Sequence, residues 1–502
     1  MTRPVKQLLK HPPSSYVDGH FLPVAGDVLV SEDPADPSRI IWQGAPPPEV
    51  LDDAIAAARR ALDDWSSLSF ADRAAFLRRW QQGVKDNAER LAGIITDEMG
   101  KTIAESRLEA KAVADKVDIV LDEVSMSRVR GYTVDASATR RGHCRFKPYG
   151  VMAVLGPFNF PAHLPNGHFV PALLMGNTVV FKPSKRTPAV GQMLAEIMHE
   201  TGAPPGVFNV IHGAPGVAAE LVGHDGIDGI LFTGSWPVGR RILEANLDRP
   251  GRIMALEMGG NNPAVVMADA NLKQAVIECA RSAFATSGQR CTCTRRVIVQ
   301  EPVARRFIAA LGKVASTLIV GPPRSPEPVF MGPVVSSDAV DEVLSFQSDL
   351  AADGGRVIVE STSMDQPGYF VTPGVVEVDG FSLAGDCEVF GPLLQIAVVG
   401  DLQEAIQQAN ATRYGLAASI FTTDDDSYER FFRGVNAGCV NRNTGTAGAS
   451  SKLPFGGLGH SGNHRPAAAF SVDYCAYPVA NMVEKSSDAS VPTGMVWQEG
   501  WV

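Results

Sequence analysis

Two cysteines sit in Ser287-Gly288-Gln289-Arg290-Cys291-Thr292-Cys293, among glycine and small polar residues. The segment lies between a helix-like stretch at 272–286 and the strand-like Arg296-Val297-Ile298-Val299. A loop there presents a side chain to a cleft, so Cys291 is a candidate nucleophile. The competing reading is that Cys291 and Cys293 are small half-buried hydrophobes, as free cysteines usually are. Glu257 ends an apolar run before Gly259-Gly260-Asn261-Asn262-Pro263, which reads as a turn. A carboxylate placed so is partly desolvated, which raises its pKa and suits it to general-base work, although a lone Glu is more often a cap or turn ligand. Asn159 lies between two aromatics in Pro157-Phe158-Asn159-Phe160-Pro161. An amide on a turn held at both ends is a preorganised donor for an oxyanion, or else it satisfies local backbone groups. Phe232-Thr233-Gly234-Ser235-Trp236-Pro237-Val238-Gly239 follows another apolar run, with Pro237 suited to a first helical turn. Such a turn can bind phosphate, yet neither a Gly-x-Gly-x-x-Gly fingerprint nor a P-loop is present, so spacing alone says little about a nucleotide. Lys182-Pro183-Ser184 and Glu388-Val389-Phe390-Gly391-Pro392 add a cation, a carboxylate and an aromatic next to two further strands.

The elements that must position these groups are legible in outline. At 502 residues the chain predicts two or three domains. Residues 50–65 have alanine-rich helical spacing, and Ser69 resembles a cap leading into the helix at 73–87. From 150 onward short apolar runs at 151–155, 178–181, 207–211 and 229–232 alternate with helical segments after Pro188, Pro215 and Pro237. This texture predicts βαβ units and a parallel sheet covered on both faces. A second such region is expected to begin near Met254 and to run through 297–299, 357–359, 393–399 and 416–421. Residues 127–149 and 470–490 look like exposed β arms, and Asn443 to His464 spans a Gly-rich loop system.

Composition narrows the partners. The hydrophobic fraction is 45% and the charged fraction 20%, as in an ordinary soluble globular protein. The net charge of −10 argues against a general nucleic-acid or anionic-membrane surface. Seven scattered cysteines, an odd number, fit free thiols in a reducing compartment better than a disulfide framework. No apolar signal core or membrane-length run is seen, which gives a cytoplasmic expectation. Cys/His spacing of the metal-binding kind is lacking, so no metal site is expected.

Taken in order, these motifs resemble the aldehyde dehydrogenase superfamily over about residues 20 to 485, and the separation of 34 residues between Glu257 and Cys291 matches as well. The resemblance implies an α/β fold with two parallel-sheet domains and a β oligomerisation arm. The Rossmann-like cofactor domain would take 1–126 and 150–253, the catalytic domain 254–440, the arm 127–149 and 470–490, and active-site loops 441–469. It also implies oxidation of an aldehyde to an acid through a thioester on Cys291, with Asn159 holding the oxyanion and Glu257 activating water. For the coenzyme, it implies Lys182 and Ser184 near the adenine-side ribose, Gly234, Ser235 and Gly239 at the pyrophosphate, and Glu388 and Phe390 at the nicotinamide end. NAD is expected, but Lys185-Arg186 stands where many relatives have a glutamate for the ribose 2′-hydroxyl, and losing that acceptor while adding two cations would tolerate a 2′-phosphate, so NADP is also possible. A homodimer or homotetramer is implied, with no nucleic acid and no membrane.

Segments such as His163-Leu164-Pro165-Asn166-Gly167-His168 and Ser461-Gly462-Asn463-His464-Arg465-Pro466 are most similar to the succinylglutamate semialdehyde dehydrogenase branch, of arginine breakdown. That substrate carries two carboxylates, so cations and amide donors are needed. Arg290, His163, Asn166, His168, Arg442 and Arg465 are the candidates. Two alternatives stand beside this one. The aldehyde could be a simpler semialdehyde, of glutarate or succinate, or the fold could be a nucleotide-binding protein without chemistry. The Cys-x-Cys spacing also permits a reversible disulfide between Cys291 and Cys293, although so close a pair is poor disulfide geometry.

Overall fold

The computed structural model describes residues 8–502, and residues 1–7, part of the stretch read as lacking a signal core, lie outside it. Two seven-stranded sheets carry the molecule. The first has Val151–Leu155 and Thr178–Lys182 at its centre. Gly229–Thr233 and Ile253–Glu257 continue it on one side, in parallel, and Phe208–Val210 on the other. The antiparallel pair Ser14–Val17 and His20–Pro23 closes that second edge. The central strands are buried on both faces, which is why they read as unbroken apolar runs.

The second sheet is ordered 356–359, 374–377, 393–399, 294–300, 262–266, 417–421, 439–442. Only Arg356–Val359 runs antiparallel, as an edge strand. Asn262–Val266 was expected to begin as a turn, because Asn-Asn-Pro is turn chemistry and Pro cannot donate in a central ladder. The structure makes it a strand, and a register shift between Asn262 and Pro263 takes up the missing donor.

The boundary placed at 254 is corrected. Ile253–Glu257 pairs with Gly229–Thr233 in the first sheet, so Glu257 sits on the last strand of that sheet and the chain crosses to the second only after Gly259-Gly260. The β structure at 14–45, a short pair and the hairpin Ala25–Asp33 with Asp36–Ala45, carried no sequence signal strong enough to be read.

Four helices, Val50–Ser67, Phe70–Asp86, Ala88–Met99 and Ile103–Leu121, pack beside the first sheet and its helix His163–Leu174. Ser69 accepts the Asp72 N–H and Thr102 the Glu105 N–H, which caps two of them. The two segments read as arms meet in one three-stranded sheet. Arg140–Pro148 lies between Tyr132–Asp135 and Ala476–Glu484, paired antiparallel to both. No helix among the described residues is long and apolar enough to cross a membrane.

Candidate active site

Three backbone turns converge on one cavity of about 810 Å³ between the sheets. The Pro157–Pro161 turn leaves the central strand of the first sheet, the 257–260 link leaves its edge, and the 286–291 turn comes from the helix Leu272–Phe284. Cys291, Glu257 and Asn159 all line this space.

The turn that carries Cys291 is strained. Thr286 (φ 56°), Ser287 (φ 54°) and Gly288 (φ 70°) follow one another in the left-handed region. A β-branched residue there is an outlier that persists only when its surroundings over-determine it. They do. Thr286 Oγ1 donates to Glu105 (2.7 Å), Ser287 Oγ to the Gly332 carbonyl (2.7 Å), and Gln289 Oε1 accepts the Val335 N–H (3.0 Å). Asn262 completes the hold by donating to the Cys291 and Cys293 carbonyls, each at 2.8 Å, while its oxygen accepts the Ala417 N–H. The second sheet thereby fixes the thiol's height above its strands.

Burial pushes the Cys291 thiol well up from its ordinary range, and the charges of Glu388 and Glu257 push it further. The thiol keeps its proton at neutral pH, so forming the thiolate requires a base. Glu257 is 5% exposed, and burial raises its carboxyl well above the carboxylate range. Its Oε2 has no partner and remains open to a water or a proton. Asn159 Nδ2 gives one hydrogen to the Gln289 carbonyl at 2.9 Å, which aims the amide at the Cys291 turn and leaves its second hydrogen for a ligand. Glu388, held near 7 by burial, accepts the Gly260 N–H at 2.9 Å. A Cβ at Gly259 would collide with that carboxylate, so glycine is required for Glu388 to reach inward.

The other expected residues divide. Arg290 lines the cavity, with Nη2 on Glu105 (3.0 Å), Nε on Thr286 Oγ1 (2.7 Å) and its plane 5.4 Å from the Phe160 ring. His163 lines it too, with Nδ1 buried and unpartnered. His168 reaches the wall, but both ring nitrogens are engaged, with Tyr474 and Thr233 hydroxyls at 3.0 Å each. Asn166 is excluded: its oxygen takes the Trp80 indole N–H and its nitrogen the Val113 carbonyl, inside the helical layer. Arg442 pairs with Asp425 at 2.6 Å beside Tyr428, on the far strand of the second sheet. Arg465 is exposed and bonds the His464 carbonyl, away from the cavity lining. Helical spacing shows which residues share a face. It does not show which face a neighbouring helix has already taken.

The cavity can take an extended dinucleotide. Gly234, Ser235, Ser184, Glu388 and Phe390 line it, and the Ser235 hydroxyl makes no capping bond to its own helix. Lys182 ends the central strand, with Nζ on the Pro183 carbonyl (3.2 Å) and burial lowering its pKa to about 8. Gly239 is corrected: its N–H is spent on the Ser235 carbonyl (3.0 Å), and its missing side chain serves close packing against Met258. Trp236 stacks on His460 at 4.0 Å, so that unusual residue packs the C-terminal loops onto this turn.

Several groups at the site carried no readable signal. Lys101 and Glu109 form a fully buried pair at 2.6 Å, and Glu109 also accepts the Ala162 and His163 N–H groups at 3.0 Å, anchoring the helix that follows Asn159. Glu105 and Lys116 come from the same helix. Their charges look like a solvated surface in sequence, and only the helix they sit on could have flagged them. Both thiols of Cys291 and Cys293 are free, and Cys293 is 0% exposed. Among the described residues no His, Cys, Asp and Glu group has metal-binding geometry.

Comparison with known proteins agrees with this geometry. The aldehyde dehydrogenase family model matches residues 25–478. The N-succinylglutamate 5-semialdehyde dehydrogenase of Novosphingobium aromaticivorans is 42% identical over 467 residues, covering 93% of this chain and 98% of its own. The protein of that name from Vibrio cholerae is 41% identical over 472 residues, covering 93% and 96%. Among solved structures, HpcC from Thermus thermophilus superposes with a TM-score of 0.91 at 27% identity, covering 98% of this chain and 96% of that one. The NADP-dependent glyceraldehyde-3-phosphate dehydrogenase from Bacillus halodurans, complexed with NADP, gives 0.88 at 28%, covering 95% and 100%. With a family match over nearly the whole chain and a thiol, a carboxylate and an amide around one coenzyme-sized cavity, this chain belongs to the aldehyde dehydrogenase family and is an NAD(P)-dependent enzyme.

Proposed function

We propose that this enzyme oxidises N-succinyl-L-glutamate 5-semialdehyde to N-succinyl-L-glutamate, with Cys291 as nucleophile, Glu257 as general base and Asn159 as oxyanion donor. The observation that carries the reaction is the meeting of these three groups on one cavity from three separate turns. The Cys291 sulfur bonds to the aldehyde carbon, its proton passing to the Glu257 carboxylate and from there to solvent before hydrolysis, and the new oxyanion is held by the Asn159 amide and the Cys291 N–H. A nicotinamide coenzyme held in the cavity would supply the hydride acceptor, and loss of hydride from the adduct carbon leaves a thioester on Cys291. Glu257 then takes a proton from water, the hydroxide adds to the thioester carbon, and the acid leaves as the thiol is restored. Lys182, Ser184, Ser235, Glu388 and Phe390 would hold the coenzyme, NAD in the first instance. Arg186, at the cavity rim, is the cation that would also admit a 2′-phosphate.

The choice of aldehyde is supported by the names of the relatives at 41–42% identity and by Arg290 and His163 on the wall. Among the described residues Arg290 Nη1 has no hydrogen-bond partner, so it can meet a substrate carboxylate beside the Glu105 contact. The decisive measurement is kcat/KM across N-succinylglutamate, glutarate and succinate semialdehydes and a neutral aldehyde, with NAD and with NADP. The reading requires the succinylated substrate to lead by at least about tenfold, and equal values for the shorter semialdehydes would overturn it.

The arm supports a homo-oligomer, dimer or tetramer. Ala476–Glu484 has one strand neighbour, so its outer edge is unpaired. Tyr132, Val134, Met482 and Val483 are exposed on the same sheet. An apolar edge of this kind is a surface for a second copy of the chain.

A further inference from the structure

The strand Thr294–Gln300, which leaves the nucleophile turn, carries an arginine that the reaction scheme leaves unused. Thr294 pairs with Asn262 and Arg296 with Pro263, so Arg295 between them is the extra residue of the bulge that Pro263 imposes. A bulge beside a site re-aims a side chain, and here it buries a cation: Arg295 is 2% exposed. A buried cation is costly, and among the described residues this one makes no ion pair, so what it holds is the question. Nη1 donates to the Gly391 carbonyl at 2.8 Å and Nη2 to the Arg290 carbonyl at 3.2 Å. Nε is buried without a partner, so these two carbonyls are what the group holds. The first follows Glu388 and Phe390 in the chain, and the guanidinium lies 5.5 Å from the Phe390 ring. The second belongs to the peptide that links Arg290 to Cys291, whose N–H is an oxyanion donor in the proposed reaction. Gly288 adds a contact between the same two segments, since a Cβ there would strike the Gly391 carbonyl.

We propose that Arg295 is a positioning residue for hydride transfer, bridging the peptide whose N–H meets the oxyanion and the segment that holds the nicotinamide end. A peptide unit is planar, so a donor that fixes the Arg290 carbonyl also fixes the direction of the Cys291 N–H. A guanidinium presents its donors as a rigid fork, so it spans two carbonyls at one fixed separation. One side chain thereby sets the adduct and the hydride acceptor in register. The inference rests on Glu388 and Phe390 holding the nicotinamide end. Backbone satisfaction does not require the bridge. The Gly391 carbonyl also accepts the Leu393 N–H at 2.9 Å and the Arg290 carbonyl the Cys293 N–H at 3.0 Å, so neither is orphaned when Arg295 is replaced. The thiol's turn has its own holds in the Glu105, Gly332, Val335 and Asn262 contacts.

The test is rapid mixing of the full-length enzyme with saturating NAD and an aldehyde it oxidises, unlabelled or deuterated at the aldehyde carbon. The burst of NADH reports hydride transfer. Arg295→Met is expected to slow the burst by about tenfold to 100-fold, since a misplacement of ~1 Å has costs of that order. The deuterium isotope effect on that burst is expected to be at least as large as in wild type. Alkylation of Cys291 by iodoacetamide, which needs neither oxyanion nor coenzyme, is expected to stay within about twofold. Arg295→Lys keeps the charge but not the fork, so it is expected to remain slow, and it carries the test if the Met variant does not fold. A wild-type burst in either variant overturns the role. So does a lost isotope effect, which would place the lesion before hydride transfer. Alkylation slowed as much as the burst would place it in the thiol's own turn and overturns the role too. Glu388→Gln and Phe390→Ala separate the two readings. If they weaken NAD binding or slow the burst while the Arg295 variants behave as wild type, only the bridge is wrong. If they change neither, the coenzyme assignment fails and the bridge with it.

Discussion

At the scale of single residues, the site is defined by groups whose acidity burial has shifted away from ordinary surface chemistry. Burial disfavours the charged forms of Cys291 and Glu257 and raises the pKa of each. Cys291→Ala is expected to abolish NAD(P)H formation while leaving coenzyme binding within about twofold, measured by fluorescence titration. Asn159→Ala is expected to cost roughly 100- to 1,000-fold in kcat, the usual worth of one oxyanion donor. Glu388 supplies a pH test of the coenzyme pocket. Its carboxyl is raised to about 7, first by burial, so it is neutral below that pH and accepts hydrogen bonds best above it. Coenzyme affinity should rise between pH 6 and 8, and Glu388→Gln should remove that dependence. Arg290→Ala should raise KM for a dicarboxylate aldehyde far more than for a neutral one, and equal effects would assign Arg290 to the Glu105 contact alone.

At the scale of elements, turns matter more than the strands and helices that they join. The three left-handed residues before Cys291 store strain that Glu105, Gly332 and Val335 hold in place. Gly288 is the hinge of that arrangement, since a Cβ there would strike the Gly391 carbonyl. Gly288→Ala should lower stability by about 1–3 kcal/mol and activity by more, read from thermal unfolding and kcat together. Strand positions such as 151–155 and 393–399 were legible because central parallel strands are apolar throughout. Asn262–Val266 was not, because its turn-forming residues sit at a bulge. Asn166 and Arg442 show the same limit for side chains. Their types suit a carboxylate, but Trp80 and Asp425 had already claimed them.

At the scale of the whole molecule, the cavity exists only because two sheets present their turns to each other. The arm adds the remaining level of organisation. Sedimentation velocity on Met482→Lys with Val134→Lys should show a smaller species than wild type, since both side chains are exposed on the unpaired sheet. An unchanged sedimentation coefficient would move the self-association surface elsewhere.

The sequence alone singled out Cys291, Glu257 and Asn159, which the structure brings to one cavity, together with the two parallel-sheet regions, the paired arm strands and the family. Motif order and apolar periodicity are properties of the chain itself, so no contacts are needed to read them. Tertiary structure decided which of the charged candidates reach the cavity, that Glu257 belongs to the first sheet, and that Lys116 and Glu109 are buried at the site with Glu105 half-buried beside them. A side chain's solvation and partners come from segments remote in sequence. Lys116 meets its acceptors 352 and 355 residues away, a relation that no local pattern records.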